Sequence, residues 1–273
     1  MKPAAFDHQR PETAEALAAL LAAGAKPLAG GQSLGPMLNL RLARPDRLAG
    51  LAAIPALAGI REEAGIIRIG AAVTHARIED GDSPVALPPA LRQVARGIAY
   101  RAVRNRGTIG GSLAHADPAA DWITTLTALG AQVVIRDATG GERRAALPGF
   151  MPGAYRTALG PAEIIAAVEI PAALREAYWG YHKICRKVGE FADAIGAVAL
   201  HPATGHVRIV AGATGGAPLL LEGIGADLAR TARHPGTGAL RLALETALPG
   251  ADRVRIQLLV TALDRAIAKV VPA

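Results

Sequence analysis

Short apolar runs, interrupted by glycine and proline, divide this chain into helical and extended segments. The predicted helices show Ala- and Leu-rich spacing and cover 12–24, Pro88–Tyr100, Pro118–Leu129, 237–247 and 251–270. The predicted strands are short and alternate in part, and they cover 66–73, 131–136, 164–170 and 206–213. Because strands and helices mix along the whole length, the pattern predicts an α/β or α+β fold. A boundary between two domains is predicted at Pro171-Ala172-Ala173, with a small sheet and packed helices after it.

Composition narrows the class of protein. Hydrophobic residues make up 51% and charged residues 19% of the 273 residues, which is typical of a globular chain. No stretch reaches the roughly 18 apolar residues of a membrane span. The first residues lack the apolar core of a secretory signal, so a cytoplasmic location is expected. The single cysteine, Cys185, excludes an iron–sulfur cluster, a structural zinc site or an intrachain disulfide on this chain alone.

The net charge of +7 and the sequence pI of about 10.1 indicate an anionic partner. Nucleic acid is one candidate, but the arginines are scattered, only 3% of residues are aromatic, and neither helix-turn-helix nor zinc-finger spacing occurs. We therefore predict no nucleic-acid binding. A phosphate-bearing cofactor or an acidic face of another subunit accounts for the charge equally well.

Two glycine loops carry the main chemical signal. Ala29–Leu34 (AGGQSL) and Thr108–Ser112 (TIGGS) each combine two glycines with hydroxyl-bearing residues. Glycine allows a ligand to approach the main chain, and successive N–H groups can then form a concavity that binds anions. If the two loops fold against each other, they can hold both phosphates of a dinucleotide. Ordinary turns remain the alternative, since neither loop is a GxGxxG or Walker motif.

Polar residues near the second loop are the next candidates. Asp117 before Pro118 is typical of a helix N-cap. Asp121 has no such local role and is predicted to accept hydrogen bonds from a ribose, with a solvated helix position as the alternative. His75 and His115 lack metal-ligand spacing, so no metal site is predicted. Nor is a nucleophile elbow present that would indicate a hydrolase. Five arginines precede the second loop, namely Arg92, Arg96, Arg101, Arg104 and Arg106. They either offset the charge of a diphosphate, dock an acidic partner or form a solvated helix face.

These loops resemble those of the FAD-binding medium subunits of molybdenum hydroxylases, the family of xanthine dehydrogenase and carbon monoxide dehydrogenase. The first loop, AGGQSL, carries part of the resemblance. The second loop with its extension to Asp121 (TIGGSLAHADPAAD) carries it with high specificity. The resemblance extends over nearly the whole chain through Arg41–Pro45 (RLARP), Gly70–His75 (GAAVTH), Ala162–Pro171 (AEIIAAVEIP), Tyr181–Lys187 (YHKICRK) and Gly189–Ala192 (GEFA). The resemblance implies a two-lobed FAD-binding domain of the PCMH type over residues 1–171. A small C-terminal domain with an antiparallel sheet and packed helices would follow over 172–273.

The resemblance also implies which residues hold FAD. Those implied to wrap the diphosphate are Pro27, Leu28, Ala29, Gly30, Gly31, Gln32, Ser33 and Leu34 of the first loop and Thr108, Ile109, Gly110, Gly111 and Ser112 of the second. Ile98 is implied to pack on the cofactor, Leu159 to lie against it, and Asp121 to meet its ribose. Lys183 falls where the family places a lysine near the flavin ring, and Tyr181 is implied to cover the ring face. An exposed strand edge is the alternative for Tyr181 and Lys183.

The implied function is electron transfer. A large chain would carry the molybdenum cofactor and hydroxylate the substrate, a small chain would carry [2Fe–2S] clusters, and FAD on this chain would pass electrons to NAD, quinone, oxygen or another external acceptor. A dimer of such heterotrimers is expected. Gln32 stands where carbon monoxide dehydrogenase has histidine, which argues against that substrate, and Ser112 replaces a common asparagine. The alternatives are a stand-alone flavin oxidoreductase, or a scaffold subunit that has lost FAD.

Overall fold

The computed structural model describes residues 2–271. The strands of that range are β1 (Asp7–Gln9), β2 (Lys26–Leu28), β3 (Arg47–Gly50), β4 (Ile60–Glu63), β5 (Ile66–Gly70), β6 (Gln132–Arg136), β7 (Glu142–Ala146), β8 (Ile164–Pro171), β9 (Tyr178–Ile184), β10 (Ala194–His201), β11 (His206–Gly212) and β12 (Leu219–Leu220). Its helices are α1 (Ala14–Ala22), α2 (Leu34–Asn39), α3 (Pro55–Ala58), α4 (His75–Asp80), α5 (Pro89–Arg96), α6 (Arg101–Arg104), α7 (Ile109–His115), α8 (Asp121–Ala128), α9 (Leu147–Phe150), α10 (Glu222–Thr231), α11 (Gly236–Ala247) and α12 (Arg253–Ile267). Short 3-10 helices lie at Ala172–Glu176 and Pro202–Thr204.

The first lobe is a small parallel sheet with the strand order β1-β3-β2. Parallel strands need crossover connections, which α1 and α2 provide. The hydroxyl of Thr13 caps α1 by accepting a hydrogen bond from the Ala16 N–H at 3.1 Å, and Leu17 and Leu21 bury the apolar side of the helix. The predicted first helix is therefore confirmed, with slightly shorter bounds.

The second lobe is an antiparallel sheet with the order β4-β5-β8-β6-β7. Its central strand, β8, is buried on both faces over its first five residues, which explains the apolar run from Ile164 to Val168. Ile164 and Ala166 pack with the first lobe, whereas Ile165 and Ile170 pack into the main core. The alternation of side chains along one strand thus joins the two lobes.

Helix α8 lies between the second lobe and the C-terminal sheet. All eight of its residues are buried, and it packs against α5, α7 and α9 on one side and β10 and β11 on the other. The carbonyls at its C-terminal end accept hydrogen bonds from the C-terminal sheet: the His206 ring lies 2.8 Å from the Ala128 oxygen, and Arg208 donates to the Thr127 oxygen at 3.1 Å. These carbonyls at the C-terminal end of the helix are therefore satisfied although it is fully buried.

The C-terminal part is an antiparallel sheet of order β12-β11-β10-β9 with α10, α11 and α12 on one face. Two glycines allow α12 to approach the sheet closely. A methyl group on Gly180 would lie 2.0 Å from the Ala266 oxygen, and one on Gly196 would lie 2.3 Å from the Ala262 oxygen. The predicted mixed class, with two lobes followed by an antiparallel sheet and packed helices, is confirmed.

The predicted boundary falls at the end of β8, where Ala172–Glu176 forms a 3-10 helix that leads into β9. The main hydrophobic cluster contains residues from both sides of this point, including Val168 before it and Ile195 after it. Division into domains 1–171 and 172–273 stays a prediction. Among the helices of residues 2–271, none combines the length and apolar character that a membrane crossing requires.

Two local predictions around the second loop are wrong. Gly110 and Gly111 do not form a turn but lie in the first turn of α7, because the Thr108 hydroxyl caps that helix. Asp117 is not an N-cap, because α8 begins only at Asp121, after Ala120. The Asp117 carboxylate instead accepts the Ala119 N–H at 2.9 Å and closes a local turn.

Candidate functional site

The first glycine loop connects β2 to α2. Gly31 has a φ of +71°, the left-handed conformation that favours glycine. The Gln32 side chain turns back and donates to the Gly30 oxygen at 3.0 Å. Within residues 2–271, the main-chain N–H groups of Gly30, Gly31, Gln32 and Ser33 donate to no acceptor. Ser33 is the N-cap residue of α2, and its hydroxyl makes no capping hydrogen bond, so this loop presents a run of available donors.

The second glycine loop is built differently. The Ile109 and Gly110 N–H groups donate to the Val73 and Ala71 oxygens, each at 3.0 Å. The Gly111 N–H donates to the Thr108 hydroxyl at 3.0 Å, and the Ser112 N–H donates to the Thr108 oxygen. Four of the main-chain donors predicted here, those of Ile109 to Ser112, are therefore already paired. The donors that this loop can offer a ligand are the Thr108 N–H, which donates to no acceptor within residues 2–271, and the side-chain hydroxyls of Thr108 and Ser112.

The two loops lie against each other. A methyl group on Gly30 would lie 1.9 Å from the Arg106 oxygen and 2.9 Å from the Gly107 Cα, just before the second loop. One on Gly111 would lie 3.2 Å from the Ala29 side chain. The glycines are thus required for close packing of chain on chain, and the predicted juxtaposition of the loops is present.

A cleft of about 130 Å³ opens where the loops meet. Its walls come from both loops and from the segments that support them, namely Ala29, Gly30, Ala52, Ala72, Thr74, Asn105, Arg106 and Thr108. Thr74 and Thr108 face each other across an isolated antiparallel bridge. Sequence reasoning did not propose Ala52, Ala72, Thr74 or Asn105 as site residues. The resemblance to GAAVTH already contained Ala72 and Thr74, whereas nothing in the sequence marked Ala52.

The structure separates the five arginines before the second loop. Arg101 pairs with Asp80 at 2.5 Å and with Glu79 at 2.9 Å, and Arg104 pairs with Glu79 at 2.7 Å. Arg92 donates to the Glu79 carbonyl oxygen. By contrast, Arg96 and Arg106 are exposed and make no side-chain ion pair or hydrogen bond within residues 2–271. Only Arg106 of these two lines the cleft, so it is the arginine best placed to face an anion there.

Asp121, Tyr181 and Lys183 come together although they are far apart in sequence. The Tyr181 hydroxyl donates to one Asp121 carboxylate oxygen at 2.5 Å, and the Lys183 ammonium donates to the other at 3.1 Å. Burial raises the pKa of the Asp121 carboxyl, and the charge of Lys183 opposes this rise. Burial and then the nearby Asp121 raise the pKa of Tyr181 well above its usual value, so Tyr181 stays a neutral donor.

The alternative prediction for Tyr181 and Lys183 was an exposed strand edge. β9 is indeed the edge strand of its sheet, but these two side chains are not exposed. Tyr181 is 9% exposed and the side chain of Lys183 10% exposed. Since alternate residues of a strand share a face, Trp179 lies on the same side, and its ring stacks on that of Tyr181 with centroids 6.0 Å apart. Asp121 is likewise buried rather than solvated.

The remaining predicted site residues are Ile98, Leu159, Pro27, Leu28 and Leu34. Ile98 is half-buried and bridges Gly189 of the C-terminal part. Leu159 is half-buried against the main core, Pro27 is exposed on β2, and Leu28 and Leu34 are half-buried at the two ends of the first loop. Neither Ile98 nor Leu159 lines the cleft, and their contact with a cofactor stays a prediction. No group of three or more potential metal ligands occurs in the described part of the chain.

Comparison with known proteins shows the family of this chain. Residues 4–173 match the family described as FAD binding domain in molybdopterin dehydrogenase. The carbon monoxide dehydrogenase medium chain of Hydrogenophaga pseudoflava is 37% identical over 215 residues, which is 77% of this chain and 75% of that one. The nicotine 6-hydroxylase medium subunit of Paenarthrobacter nicotinovorans is 36% identical over 219 residues, 80% of this chain and 76% of its own.

A solved structure is similar over the whole chain. Carbon monoxide dehydrogenase from Oligotropha carboxidovorans, in its reconstituted form, superimposes with a TM-score of 0.90 at 33% identity and covers 99% of both chains. Both glycine loops and the residues that line the cleft lie within the matched segment, residues 4–173. The chain belongs to the family of FAD-binding domains in molybdopterin dehydrogenases and is an FAD-binding subunit of an oxidoreductase.

Proposed function

We propose that this chain is the electron-transfer subunit of a molybdenum hydroxylase complex. It takes electrons from [2Fe–2S] clusters on a small partner chain, which receives them from a large chain with the molybdenum cofactor, and it passes them to an external acceptor. The observation that carries the proposal is the cleft between the two glycine loops, in a chain of this family. The lone Cys185 supports it, because any metal relay must then lie on other chains.

The residues present fit FAD. A diphosphate needs hydrogen-bond donors and close access to the main chain. The first loop supplies both, since the N–H groups from Gly30 to Ser33 are unpaired within residues 2–271 and Gly30 and Gly31 have no side chain. The side chain of Arg106 adds a positive charge at the cleft. We assign the diphosphate to residues 27–34 and 108–112, with the second loop contributing its hydroxyls.

When bound, FAD supplies the redox chemistry, so the chain needs no acid–base pair of its own. What its own residues contribute is binding and the local charge. The Asp121 carboxylate uses one lone pair on each oxygen for Tyr181 and Lys183, which leaves others for a ribose hydroxyl. The pair with Asp121 holds Lys183 in one place, and we assign Lys183 and Tyr181 to the flavin ring and Ile98 and Leu159 to apolar contacts with the cofactor.

The names of the relatives support a multi-subunit assembly. Those described above are a medium chain and a medium subunit, so we propose a large and a small partner for this chain as well. A dimer of such heterotrimers is the proposed assembly. The electron acceptor is NAD, a quinone, oxygen or a protein carrier, and the organic substrate is bound by the large chain.

The first experiment is a visible spectrum of the purified chain with and without added FAD, together with identification of any flavin that acid releases. Flavin bands and saturable FAD uptake are expected. The electron-transfer step is then tested anaerobically by mixing the FAD-loaded chain with the reduced small subunit, and the flavin absorbance should bleach. The same chain stripped of FAD serves as the control.

Two outcomes would count against the proposal. A chain that takes up no FAD even together with both partners would favour a scaffold subunit. A loaded chain that turns over a substrate alone, and is not reduced by the small subunit, would favour a stand-alone flavin oxidoreductase.

A further inference from the structure

His75 lies directly beneath the cleft. It follows Thr74, which lines the cleft, and begins α4 with only 5% of its surface exposed. Its main-chain N–H donates to the Gly107 oxygen at 2.9 Å. Its ring covers the same residue, because a methyl group on Gly107 would lie 2.9 Å from Nε2 and from Cδ2. His75 thus contacts, with both main chain and side chain, the residue that precedes Thr108.

Gly107 is held on its other side by the first loop. The Cα of Gly107 would lie 2.9 Å from a methyl group on Gly30, so Gly107 is packed between the His75 ring and the first glycine loop. No side chain intervenes at either contact. The position of the His75 ring therefore determines how far the Thr108 side of the cleft stands from the first loop.

The His75 ring is itself fixed from behind. The Trp122 Nε1–H donates to His75 Nδ1 at 3.0 Å, and the Trp122 side chain is wholly buried. Because Nδ1 accepts this bond, the ring proton must lie on Nε2, facing Gly107. Trp122 is the neighbour of Asp121 on α8. A continuous buried path thus runs from Asp121 through Trp122 and His75 to Gly107.

The surroundings favour the neutral ring. Burial, and secondarily the Arg104 guanidinium on α6, lower the pKa of His75 to about 4. The charged groups of the surrounding helices are paired: Glu79 and Asp80 of α4 with Arg101 or Arg104, Arg77 of α4 with Asp82, and Asp121 of α8 with Lys183. Arg106, next to Gly107, is unpaired within residues 2–271 and adds a further positive charge that opposes protonation of the ring. Protonation of Nδ1 would place two donors against each other at the Trp122 contact.

We propose that His75 is a positioning residue for the cofactor cleft: as the neutral Nε2–H tautomer held by Trp122, its ring sets the position of Gly107 and Thr108 against the first loop. The inference rests on the proposed function, since it takes FAD to be the occupant of the cleft. His75 acts through Gly107 and is not assigned a contact with the cofactor.

The test compares two substitutions of His75 in the full chain, with FAD itself as the probe. His75→Asn keeps an oxygen near the position of Nδ1 and can accept from Trp122, whereas His75→Leu fills similar space without an acceptor. H75N lacks the ring atoms that pack on Gly107, and H75L lacks the acceptor that holds the side chain on Trp122. FAD affinity, measured by quenching of flavin fluorescence, is therefore expected to fall at least tenfold in both variants. Circular dichroism checks that each variant is folded.

His201 provides a matched control. It is also a buried histidine, 8% exposed, and its Nδ1 accepts the Thr204 N–H at 3.3 Å, but it lies on β10 away from the cleft. H201L and H201N should therefore bind FAD like the native chain, even if H201L is less stable. If H201L weakens FAD binding as much as H75L does, the effect is general destabilisation and the proposal is wrong.

A pH profile adds a readout that simple packing would not change. FAD affinity of the native chain should decrease as the pH falls towards 4 and His75 becomes protonated, and this decrease should be smaller in H75N. Should H75L fail to fold, ¹⁵N NMR of the native chain at neutral pH still decides: an Nε2–H tautomer at His75 is required, and an Nδ1–H tautomer overturns the proposal. If H75L binds FAD as tightly as the native chain does, this inference alone is overturned. If the native chain itself binds no FAD, the proposed function is overturned.

Discussion

Gly30 offers the sharpest perturbation of the cleft. The added methyl carbon of Gly30→Ala would lie 1.9 Å from the Arg106 oxygen, where ordinary van der Waals contact begins at 3.4 Å. The opposing atoms belong to the main chain, so a side-chain rotation cannot relieve the overlap, and the two loops must separate by about 1.5 Å. Such overpacking costs about 1–3 kcal/mol of folding free energy.

The separation should weaken FAD binding as well as the fold. The N–H groups of the first loop would move away from the hydroxyls of Thr108 and Ser112, so one ligand could no longer contact both. We expect the dissociation constant for FAD to rise at least tenfold, which corresponds to about 1.4 kcal/mol of binding free energy. Titration followed by flavin fluorescence measures this constant, and thermal unfolding measures the stability of the same sample.

Gly35→Ala is the matched control. Gly35 lies in α2, five residues further along, and a methyl group there would meet no atom within 4 Å. Since alanine favours a helix over glycine, G35A should keep native FAD affinity and be equally or more stable. The steric argument is refuted if G30A binds FAD as tightly as G35A and unfolds at the same temperature.

Two further predictions concern buried charge. Asp121→Ala leaves the Lys183 ammonium, with a side chain 10% exposed, without its partner, and should cost about 3–5 kcal/mol in urea unfolding. Asp82→Ala, which breaks the exposed pair with Arg77, should cost less than about 1 kcal/mol, and equal losses would contradict the reasoning. Because the folded pKa of His75 lies below its usual 6.5 at about 4, its neutral form stabilises the fold above pH 6.5. This contribution, on the order of 3 kcal/mol, should be lost between pH 6.5 and 4 in the native chain but not in H75N, as unfolding at several pH values will show.

Local sequence patterns predicted the elements that have a single strong signal. Ile164–Pro171 and Gln132–Arg136 are apolar and β-branched, and both form strands close to the predicted bounds. The long C-terminal helix was also predicted, since its apolar spacing persists over Arg253–Ile267. By contrast, α4 and α10 were not predicted, because short helices with few apolar residues depend on capping and packing that a window of sequence does not show.

The chemistry of the second loop shows the same limit. Its glycines were predicted to form a turn with free N–H groups, yet Ile109 and Gly110 donate to carbonyls of Val73 and Ala71, which lie 36 and 39 residues earlier in the chain. Likewise, which of the neighbouring arginines stays unpaired depends on Glu79 and Asp80, and only the fold brings those carboxylates to Arg101 and Arg104.

The sequence by itself determined the two glycine loops, the single cysteine and the mixed class of the fold. These follow from residue type and local spacing, which do not change on folding. Only the tertiary structure decided that Gly30 packs on Arg106, that Asp121 binds both Tyr181 and Lys183, and that His75 stands between Trp122 and Gly107. These contacts join residues dozens of positions apart. They exist because the buried helix α8 and the close approach of main chain at glycine bring the three sheets together, and no local pattern contains that information.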